Sequence, residues 1–247
     1  MTVTITLLTD FGIADSYVAE VKGVLLSRAP GVTLVDVSHE VPPGSIRAAQ
    51  FLLARTWHRF PAGTVHLVVV DPRVGSDRRA LAAGVEGHWF IAPDNGLLSV
   101  LPDGGRYVSL PVLRDAAPTF HGRDVFAPAA ARLASGARLE ELGSPVPDPV
   151  RIPLPTPRTE GHAIVGEILY VDRFGNLVTN IPREGLRPES VVRVVNQDVG
   201  PLRRTFTDVE PDALLAYIGS GGTVEIAVHG GSAAKRLGVD VGVAVRI

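Results

Sequence analysis

The feature that most constrains this chain is a run of three valines that ends at a carboxylate and a proline. Val68, Val69 and Val70 are apolar and β-branched, which is typical of a strand buried on both faces of a sheet. Asp71 follows directly, and the strand must end there because Pro72 cannot donate to the hydrogen-bonded ladder. In an open α/β sheet, ligands bind beyond the carboxyl ends of the strands. The run therefore predicts a central strand with a candidate functional side chain at its end.

The first part of the sequence alternates between strand and helix patterns. Strands are predicted at residues 2–8, 32–37 and 64–70, and helices at 15–29 and from Ser45 to about residue 57. Asp15 and Ser45 are residue types that cap helix amino termini. Two more strands, at 79–85 and 88–92, are joined by a tight Glu-Gly turn. The strand–helix–strand–helix–strand order predicts an α/β domain with a largely parallel sheet and right-handed crossovers.

The residue composition and hydrophobic patterning of the sequence change near Gly143. Prolines recur at almost every second position from Pro145 to Pro157, which is typical of an extended linker. Short β-like runs follow, with few helical patterns. We therefore predict an α/β N-terminal domain over residues 1–144, a Pro-rich linker over 145–160, and a small all-β, barrel-like C-terminal domain over 161–247.

Composition excludes several classes of function. The net charge is −2 and no basic block occurs, so neither nucleic acid nor a membrane surface is an expected partner. The chain has no cysteine, which excludes disulfides, thiolate metal sites and a cysteine nucleophile. No signal peptide and no apolar run of membrane-spanning length is recognisable. We expect a cytoplasmic protein.

Several side chains suited to catalysis or ligand binding lie in predicted loops. They are Asp10, Asp71, Arg78, Asp94, His121, Asp172 and Asn176. Arg78 follows Asp71 across a short loop, so the two either pair in one crevice or serve as a turn residue and a solvated cation. His121 lies in a polar loop just before a helix, where a histidine is more often functional than in a core. The segment from Asp172 to Asn176 is either a Gly-containing hairpin turn, which the residues favour, or a recognition loop.

Motifs for metal or phosphate binding are not evident. The sequence contains neither His-Glu-x-x-His nor a calcium-loop spacing, nor a Walker-type or Gly-x-Gly-x-x-Gly loop. Asp10, Asp71 and Asp94 could together hold magnesium, so a metal-dependent phosphatase or nucleotidase stays an alternative.

Taken together, short segments spread over nearly the whole chain resemble one family. The segments are 8–12 (Leu-Thr-Asp-Phe-Gly), 70–72 with Arg78, 91–96 (Ile-Ala-Pro-Asp-Asn-Gly), 119–124 (Thr-Phe-His-Gly-Arg-Asp), Asp172 with 174–176, and 230–234 (Gly-Gly-Ser-Ala-Ala). They resemble the S-adenosylmethionine hydroxide adenosyltransferases, the hydrolase relatives of the bacterial fluorinating and chlorinating enzymes. The resemblance implies an α/β domain followed by a β-barrel. It implies hydrolysis of S-adenosylmethionine to adenosine and L-methionine by attack of water or hydroxide on the ribose C5′ carbon. No metal or other cofactor is implied.

The resemblance also implies an assembly and a set of site residues. The assembly is a homotrimer, with the substrate held between the N-terminal domain of one subunit and the C-terminal domain of the next. The residues implied to hold the water are Asp71, Arg78 and His121. Those implied to bind the substrate are Asp10, Asp15, Phe120, Gly122, Asp172, Phe174, Asn176, Ser220, His229 and Gly230.

The related halogenases resemble this chain less closely. They carry Tyr at the position of Asp71, Ser at that of Gly122, and an additional loop that this chain lacks. A halide-using adenosyl transferase is therefore the alternative within the family, and a protein that binds adenosyl ligands without turnover is an alternative of a different class. The chain departs from the hydrolase pattern at Arg73, where Gly is usual, and at His229, where Asn is usual.

Overall fold

The polypeptide divides into two compact units. The computed structural model describes residues 2–247, and the units are Met1–Leu154 and Pro155–Ile247. The boundary lies within the Pro-rich stretch. The beginning of that stretch belongs to the first unit, because Val146 N donates a hydrogen bond to Tyr107 O and Ser144–Pro145 pairs with a strand there.

The first unit is built on a seven-stranded sheet. Its strands are β1 Thr4–Thr9, β2 Thr33–Ser38, β3 Val65–Val69, β4 Ala80–Val85, β5 His88–Pro93, β6 Arg106–Leu110 and β7 Ser144–Pro145. They lie in the order β2-β1-β3-β5-β4-β6-β7. The pairs β1–β2, β1–β3 and β3–β5 are parallel, whereas β4–β5, β4–β6 and β6–β7 are antiparallel.

The sheet is therefore mixed, and the prediction of a largely parallel sheet was wrong. The cause is the turn between β4 and β5. Glu86 and Gly87 have φ values of 47° and 78°, and two consecutive positive φ values characterise the two-residue hairpin turns that match strand twist. Such a turn reverses the chain, so β4 must run antiparallel to β5.

Three helices flank this sheet: α1 Tyr17–Arg28, α2 Ile46–Thr56 and α3 Ala127–Ala134. The Ser45 hydroxyl caps α2 by accepting a hydrogen bond from Ala48 N. α1 and α3 share one core, in which Val21 and Leu25 pack with Leu133. The crossover through α1 runs from β1 to β2, and the crossover through α2 returns past β1 to β3. Right-handed crossovers in opposite directions put α1 and α2 on opposite faces of the sheet.

This reversal creates a switch point between β1 and β3, the place where open α/β sheets bind ligands. Asp10 directly follows β1, and Asp71 lies two residues beyond the end of β3. The fold therefore brings two of the predicted site carboxylates to one crevice.

The second unit is a closed seven-stranded barrel, which confirms the prediction of a small all-β, barrel-like domain. Its elements are β8 Arg158–Glu160, β9 Ala163–Val171, β10 Leu177–Pro182, β11 Val191–Val194, β12 Gln197–Arg203, β13 Leu214–Ile218, β14 Thr223–Val228, α4 Ala233–Leu237 and β15 Ala244–Arg246. The order is β10-β14-β13-β12-β11-β15-β9, pairing of β9 with β10 closes the ring, and β8 extends β9. Alternate residues point inward, and Ile168, Ile181 and Ile226 are completely buried in the barrel core.

No helix among residues 2–247 has the length and apolar character needed to cross a membrane.

Candidate active site

A buried group of three side chains lies beyond the carboxyl end of β3. Arg78 Nε donates a 2.8 Å hydrogen bond to Asp71 Oδ2, and Arg78 Nη2 donates to the same oxygen. Arg78 Nη2 also lies 2.9 Å from His121 Nδ1. The Asp71 and Arg78 side chains are 4% and 3% exposed, and the guanidinium lies over the Phe126 ring at 5.3 Å. The sequence left open whether Asp71 and Arg78 pair; in the structure they do, and His121 joins them.

The two oxygens of Asp71 differ in their surroundings. Oδ2 receives both hydrogen bonds from Arg78, whereas Oδ1 is buried and has no hydrogen-bond partner among the described residues. An unpartnered buried carboxylate oxygen is unfavourable unless a ligand or water supplies a donor. Oδ1 is therefore the atom at which this group can accept a proton or a hydrogen bond from a bound molecule.

His121 is held in a defined protonation state. Burial lowers its pKa, and the Arg78 cation lowers it further, against the opposing effect of the Asp71 and Asp124 carboxylates. The ring is thus neutral near pH 7. Because a guanidinium can only donate, His121 Nδ1 accepts from Arg78, so the proton of the neutral ring is on Nε2.

The loops that carry these residues touch closely. Gly75, in the loop between Asp71 and Arg78, has φ +80°, and a Cβ there would lie 2.6 Å from Pro118 O. The segment Gly122–Phe126 after His121 forms a π-helical turn, a local distortion that is frequent at functional sites. The side chains of the site are therefore positioned by backbone geometry that only glycine permits at residue 75.

Three aromatic rings pack together beside the loops that carry Asp10 and His121, and we call Phe11, Tyr17 and Phe120 the aromatic wall. Their rings pack edge to face, with centroid separations of 5.3 to 6.2 Å. Gly122 lies directly against this wall, because a Cβ there would be 3.0 Å from Phe11 Cζ and 3.4 Å from Phe120 Cε2. A side chain at Gly122 would therefore press on the Phe11 and Phe120 rings beside His121.

The Asp10 loop is fixed by hydrogen bonds from the segment after β2. Thr9 Oγ1 and His39 Nδ1, both buried, share a 2.8 Å hydrogen bond, and Gly12 N donates to His39 O at 2.7 Å. Asp10 Oδ2 accepts from Gly44 N at 2.8 Å. This leaves the other Asp10 oxygen as an acceptor for a ligand hydroxyl. Asp15 lies on the exposed stretch before α1.

In the second unit, the β9–β10 loop has a dense set of hydrogen bonds. Asp172 Oδ1 accepts from Phe174 N and Asn176 N, and Asp172 Oδ2 accepts from Asn176 Nδ2, each at 2.9 Å. Gly175 has φ +84°, and a Cβ there would collide with Ser232 Oγ at 2.0 Å. The hairpin-turn interpretation is thus correct for the backbone, and the same turn presents a 75% exposed Phe174 and a buried Asn176.

A cavity of about 620 Å³ adjoins this loop. It is lined by Phe174, Asn176, Phe206, Val228, His229, Gly230, Gly231 and Ser232. His229 Nδ1 donates to Val209 O at 3.0 Å, which fixes the imidazole in the wall of the cavity. Ser220 lies elsewhere, in the turn at the other end of the β13–β14 hairpin from His229. The structure therefore brings together four of the substrate-binding residues expected in this domain, with Asp172 orienting Asn176, and leaves Ser220 apart.

The Asp94 carboxylate holds parts of the first unit together. Its carboxylate accepts from Arg79 Nε at 2.6 Å and from Val150 N at 2.8 Å. Both oxygens are thus occupied by donors from the chain itself. Over residues 2–247, no group of three His, Asp or Glu side chains is placed to hold a metal ion. This arrangement does not favour a magnesium site built from Asp10, Asp71 and Asp94.

Two departures from the family pattern can be located. Arg73 is 67% exposed and reaches Asp77 Oδ1 at 3.3 Å, so its charge is directed to solvent and to an exposed carboxylate. His229 lines the cavity of the second unit. Sequence reasoning missed Phe11, Tyr17 and Phe126 as parts of the site, although Phe11 lies between Asp10 and a glycine in a recognised motif.

Comparison with known families decides the relationship. Residues 5–143 match the family model described as the SAM hydroxide adenosyltransferase N-terminal domain, and residues 166–246 match that of the C-terminal domain. The chain belongs to the SAM hydroxide adenosyltransferase family. The match includes both units, so the resemblance recognised from short segments is confirmed.

Curated relatives are similar over nearly the full length. The chain is 44% identical to the (R)-S-adenosyl-L-methionine hydrolase of Thermus thermophilus, covering 97% of each chain. It is 41% identical to the protein of the same name from Salinispora tropica, covering 98% of this chain and 97% of the relative. The fluorinase of Nocardia brasiliensis is 31% identical, and the match covers 98% of this chain and 96% of the fluorinase. That alignment extends over 287 positions, against 255 and 256 for the two hydrolases, so the fluorinase contains additional segments.

Solved structures of family relatives share the fold. A conserved protein from Thermotoga maritima superposes with a TM-score of 0.90 at 34% identity, covering 98% of each chain. A conserved protein from Thermus thermophilus superposes with a TM-score of 0.83 at 42% identity, covering 100% of this chain and 99% of the other.

Proposed function

We propose that this family member hydrolyses S-adenosylmethionine to adenosine and L-methionine by attack of water on the ribose C5′ carbon. The observation that carries the proposal is the buried group Asp71, Arg78 and His121, with Asp71 Oδ1 free to accept a hydrogen bond. The identity of 41–44% to proteins named as (R)-S-adenosyl-L-methionine hydrolases supports the choice of substrate.

The chemistry of the substrate fits such a site. A bond forms between the water oxygen and C5′ while the C5′–sulfur bond breaks, and its electron pair goes to sulfur. The sulfonium thereby becomes the neutral thioether of methionine, so the leaving group needs no general acid. A hydroxide-like nucleophile that approaches a cation loses charge toward the transition state, and a pocket with little water favours that loss when the nucleophile is held in line.

Each side chain of the group has a distinct role in this proposal. Asp71 Oδ1 accepts the proton that the attacking water loses. Arg78 holds Asp71 through Oδ2 and supplies positive charge beside the developing hydroxide. His121 is neutral with its proton on Nε2, so it orients the water by donating from Nε2 and does not act as the base.

The substrate-binding roles are also part of the proposal. Asp10 accepts from a ribose hydroxyl, Phe120 and Gly122 shape the space beside C5′, and Asp15 binds the methionine end. In the second unit, Asn176 hydrogen bonds the adenine edge and Phe174 stacks on the base. His229 and Gly230 complete the base pocket, Asp172 holds the loop, and Ser220 contacts the methionine end.

We propose a homotrimer in which the first unit of one protomer and the second unit of the next form each site. A mixing experiment tests this assembly. Asp71→Ala and Asn176→Ala proteins, each inactive alone, should regain activity after they are refolded together, because some interfaces then combine two intact halves. Absence of recovery despite proven subunit mixing would put the whole site in one chain.

The reaction is tested by product analysis. Incubation with S-adenosylmethionine, followed by chromatography, should yield adenosine, and a chelator should leave the rate unchanged. Adenosine should remain the main product in concentrated chloride or fluoride. Dominant 5′-halo-adenosine would assign the alternative halide-using activity, and loss of activity with chelator would indicate a metal requirement. Bound but unchanged substrate in single-turnover assays would indicate a binding protein.

The group of three is tested by variants. Asp71→Asn or His121→Ala should reduce turnover by roughly two to four decades, the usual range for a positioned acid-base group. Because the three act on one water, the triple variant should be little slower than the worst single variant. Substrate binding measured by calorimetry should persist in these variants, whereas Asn176→Ala should mainly weaken binding. Near-normal turnover of Asp71→Asn would remove Asp71 from the mechanism.

A further inference from the structure

The second unit contains another cavity, at the opposite end of the barrel from Asn176 and His229. Its volume is about 330 Å³. It adjoins the carboxyl ends of β10, β12 and β13, whereas the Asn176 cavity adjoins the amino ends of β10 and β13. The four charged side chains of its lining are all arginines: Arg183, Arg187, Arg203 and Arg204. We call this feature the arginine cavity.

The arginines of this cavity differ from most others in the chain. Elsewhere, arginines such as Arg79, Arg123 and Arg246 form ion pairs with carboxylates at 2.5 to 2.8 Å. Within residues 2–247, the guanidinium groups of the arginine cavity have neither a hydrogen bond nor an ion pair. Glu184 and Glu189 lie on the same loop, yet neither reaches them. The four arginines are exposed and line one cavity, and the nearby Asp208 carboxylate is occupied by Arg204 N, so their positive charges would stabilise a bound anion there.

The backbone around the arginine cavity is fixed by hydrogen bonds. Arg183 N donates to Gly222 O at 2.9 Å, which joins the loop after β10 to the β13–β14 turn. Leu202 N donates to Pro188 O at 3.1 Å, which joins the same loop to β12. The Cα atoms that carry the guanidinium groups are therefore held in place before any ligand binds, so the ordering of backbone on binding is small.

The remaining lining is apolar. Leu186, Pro188, Leu202 and Ile218 form the floor, and Ile218 and Leu202 also pack against the barrel core. A volume of this size is at the lower end of small-molecule sites, and such sites combine an apolar floor with a few charged groups that fix orientation. Guanidinium groups match phosphate oxygens in bidentate geometry.

We propose that the arginine cavity binds a small molecule with several phosphate groups attached to an apolar or aromatic part, of which a nucleoside triphosphate is the type. The phosphates contact the guanidinium groups, and the apolar part lies on the leucine and isoleucine floor. This cavity shares no lining residue with the one that contains Asn176 and His229, and only the activity control below rests on the proposed hydrolysis.

The experiment uses calorimetric titration of the full-length protein with adenosine triphosphate, inorganic tripolyphosphate and adenosine. Adenosine triphosphate should bind more tightly than tripolyphosphate, and its affinity should fall as salt is raised, because arginine–phosphate contacts are screened. Arg183→Gln with Arg203→Gln should weaken binding by about tenfold for each arginine removed, the effect of a lost charge-assisted hydrogen bond. Release of adenosine from S-adenosylmethionine by this double variant should be unchanged, which also shows that it is folded.

Arg236→Gln is the matched control, because Arg236 is exposed, lies in the same unit and outside the arginine cavity, and its side chain has no partner among the described residues. It should alter the affinity for adenosine triphosphate less than twofold. The proposal is overturned if neither phosphate compound binds at millimolar concentration, or if the control loses as much affinity as the double variant. It is also overturned if saturating S-adenosylmethionine abolishes the binding. Equal affinity for tripolyphosphate and adenosine triphosphate would refute the role of the apolar floor.

Discussion

Removal of Arg78 alone should destabilise the first unit more than removal of Arg78 together with Asp71. Both side chains are almost completely buried, at 3% and 4% exposure. Arg78→Ala leaves the Asp71 carboxylate buried without its cation, and loss of one partner of a buried ion pair costs about 3–5 kcal/mol of unfolding free energy. The double variant Arg78→Ala with Asp71→Ala leaves no uncompensated charge, so part of that loss should be recovered.

The size of the recovery follows from the contacts. Arg78 gives two of its hydrogen bonds to Asp71, and only one to His121 and one to Arg79 O, so most of its polar contacts disappear with the carboxylate. We expect the double variant to be more stable than Arg78→Ala by about 2 kcal/mol, which lies within the roughly 1–3 kcal/mol that an unsatisfied buried polar group costs and that removal of Asp71 abolishes.

The assay is urea unfolding followed by tryptophan fluorescence. Both tryptophans, Trp57 and Trp89, lie in the first unit, so the signal reports on the unit that contains the pair. A matched control is the exposed pair Arg106 and Glu140, with side chains 66% and 54% exposed. Its coupling should be smaller than about 1 kcal/mol. If the losses from Arg78→Ala and Asp71→Ala add within 0.5 kcal/mol, roughly the error of such additivity tests, the reasoning about an uncompensated charge is refuted.

Three more predictions concern neighbouring features. Gly122→Ala should lower kcat/KM by about tenfold, because the new methyl group contacts the aromatic wall and a small shift of reacting groups has large kinetic effects. The midpoint of urea unfolding should stay constant. Unchanged kinetics would contradict this prediction. His39→Ala should cost about 1–3 kcal/mol of stability because it removes the buried imidazole partner of the Thr9 hydroxyl, whose oxygen keeps only a 3.3 Å hydrogen bond from Phe11 N. A loss below 0.5 kcal/mol, roughly the scatter of surface substitutions, would argue against it. Burial lowers the pKa of His66 to about 3 in the folded protein. Between pH 6.5 and 3 the unfolded state therefore binds more protons than the folded state. The free energy of unfolding should fall by up to about 1.4 kcal/mol per pH unit as pH decreases through that window. His66→Gln should reduce this slope, whereas the same change at exposed His58 should not; equal slopes in the two variants would exclude His66 as the cause.

Much of the site could be predicted because local sequence determines where strands end. The valine run, Asp71 and Pro72 fix the end of a buried strand, and the Asp10 motif follows a second one. Two strands that share a switch point then bring their carboxylates together without any long-range information. The Ser45 cap was predictable for the same reason, because a capping hydroxyl acts within three residues.

Other features depend on partners far away in the sequence. β12 Gln197–Arg203 contains three polar or charged residues, a glycine and a proline, so local propensity does not predict its observed bounds. It forms because β11 and β13 pair with it on either side. The role of Asp94 was equally hidden, since its hydrogen-bond donor Val150 is 56 residues away. The difference between the two oxygens of Asp71 could not be predicted either, because it depends on which of them Arg78 contacts in the folded protein.

The close approach of Gly75 to Pro118 has a consequence for how this site can change. A side chain at residue 75 would meet the Pro118 carbonyl, which belongs to the backbone, and the φ of +80° at residue 75 favours glycine independently of that contact. Glycine should therefore be retained at residue 75 across relatives, whichever residue occupies position 118. A mutant library that randomises the loop after Asp71 should return active clones with glycine at residue 75, and randomising residue 118 as well should not change that outcome.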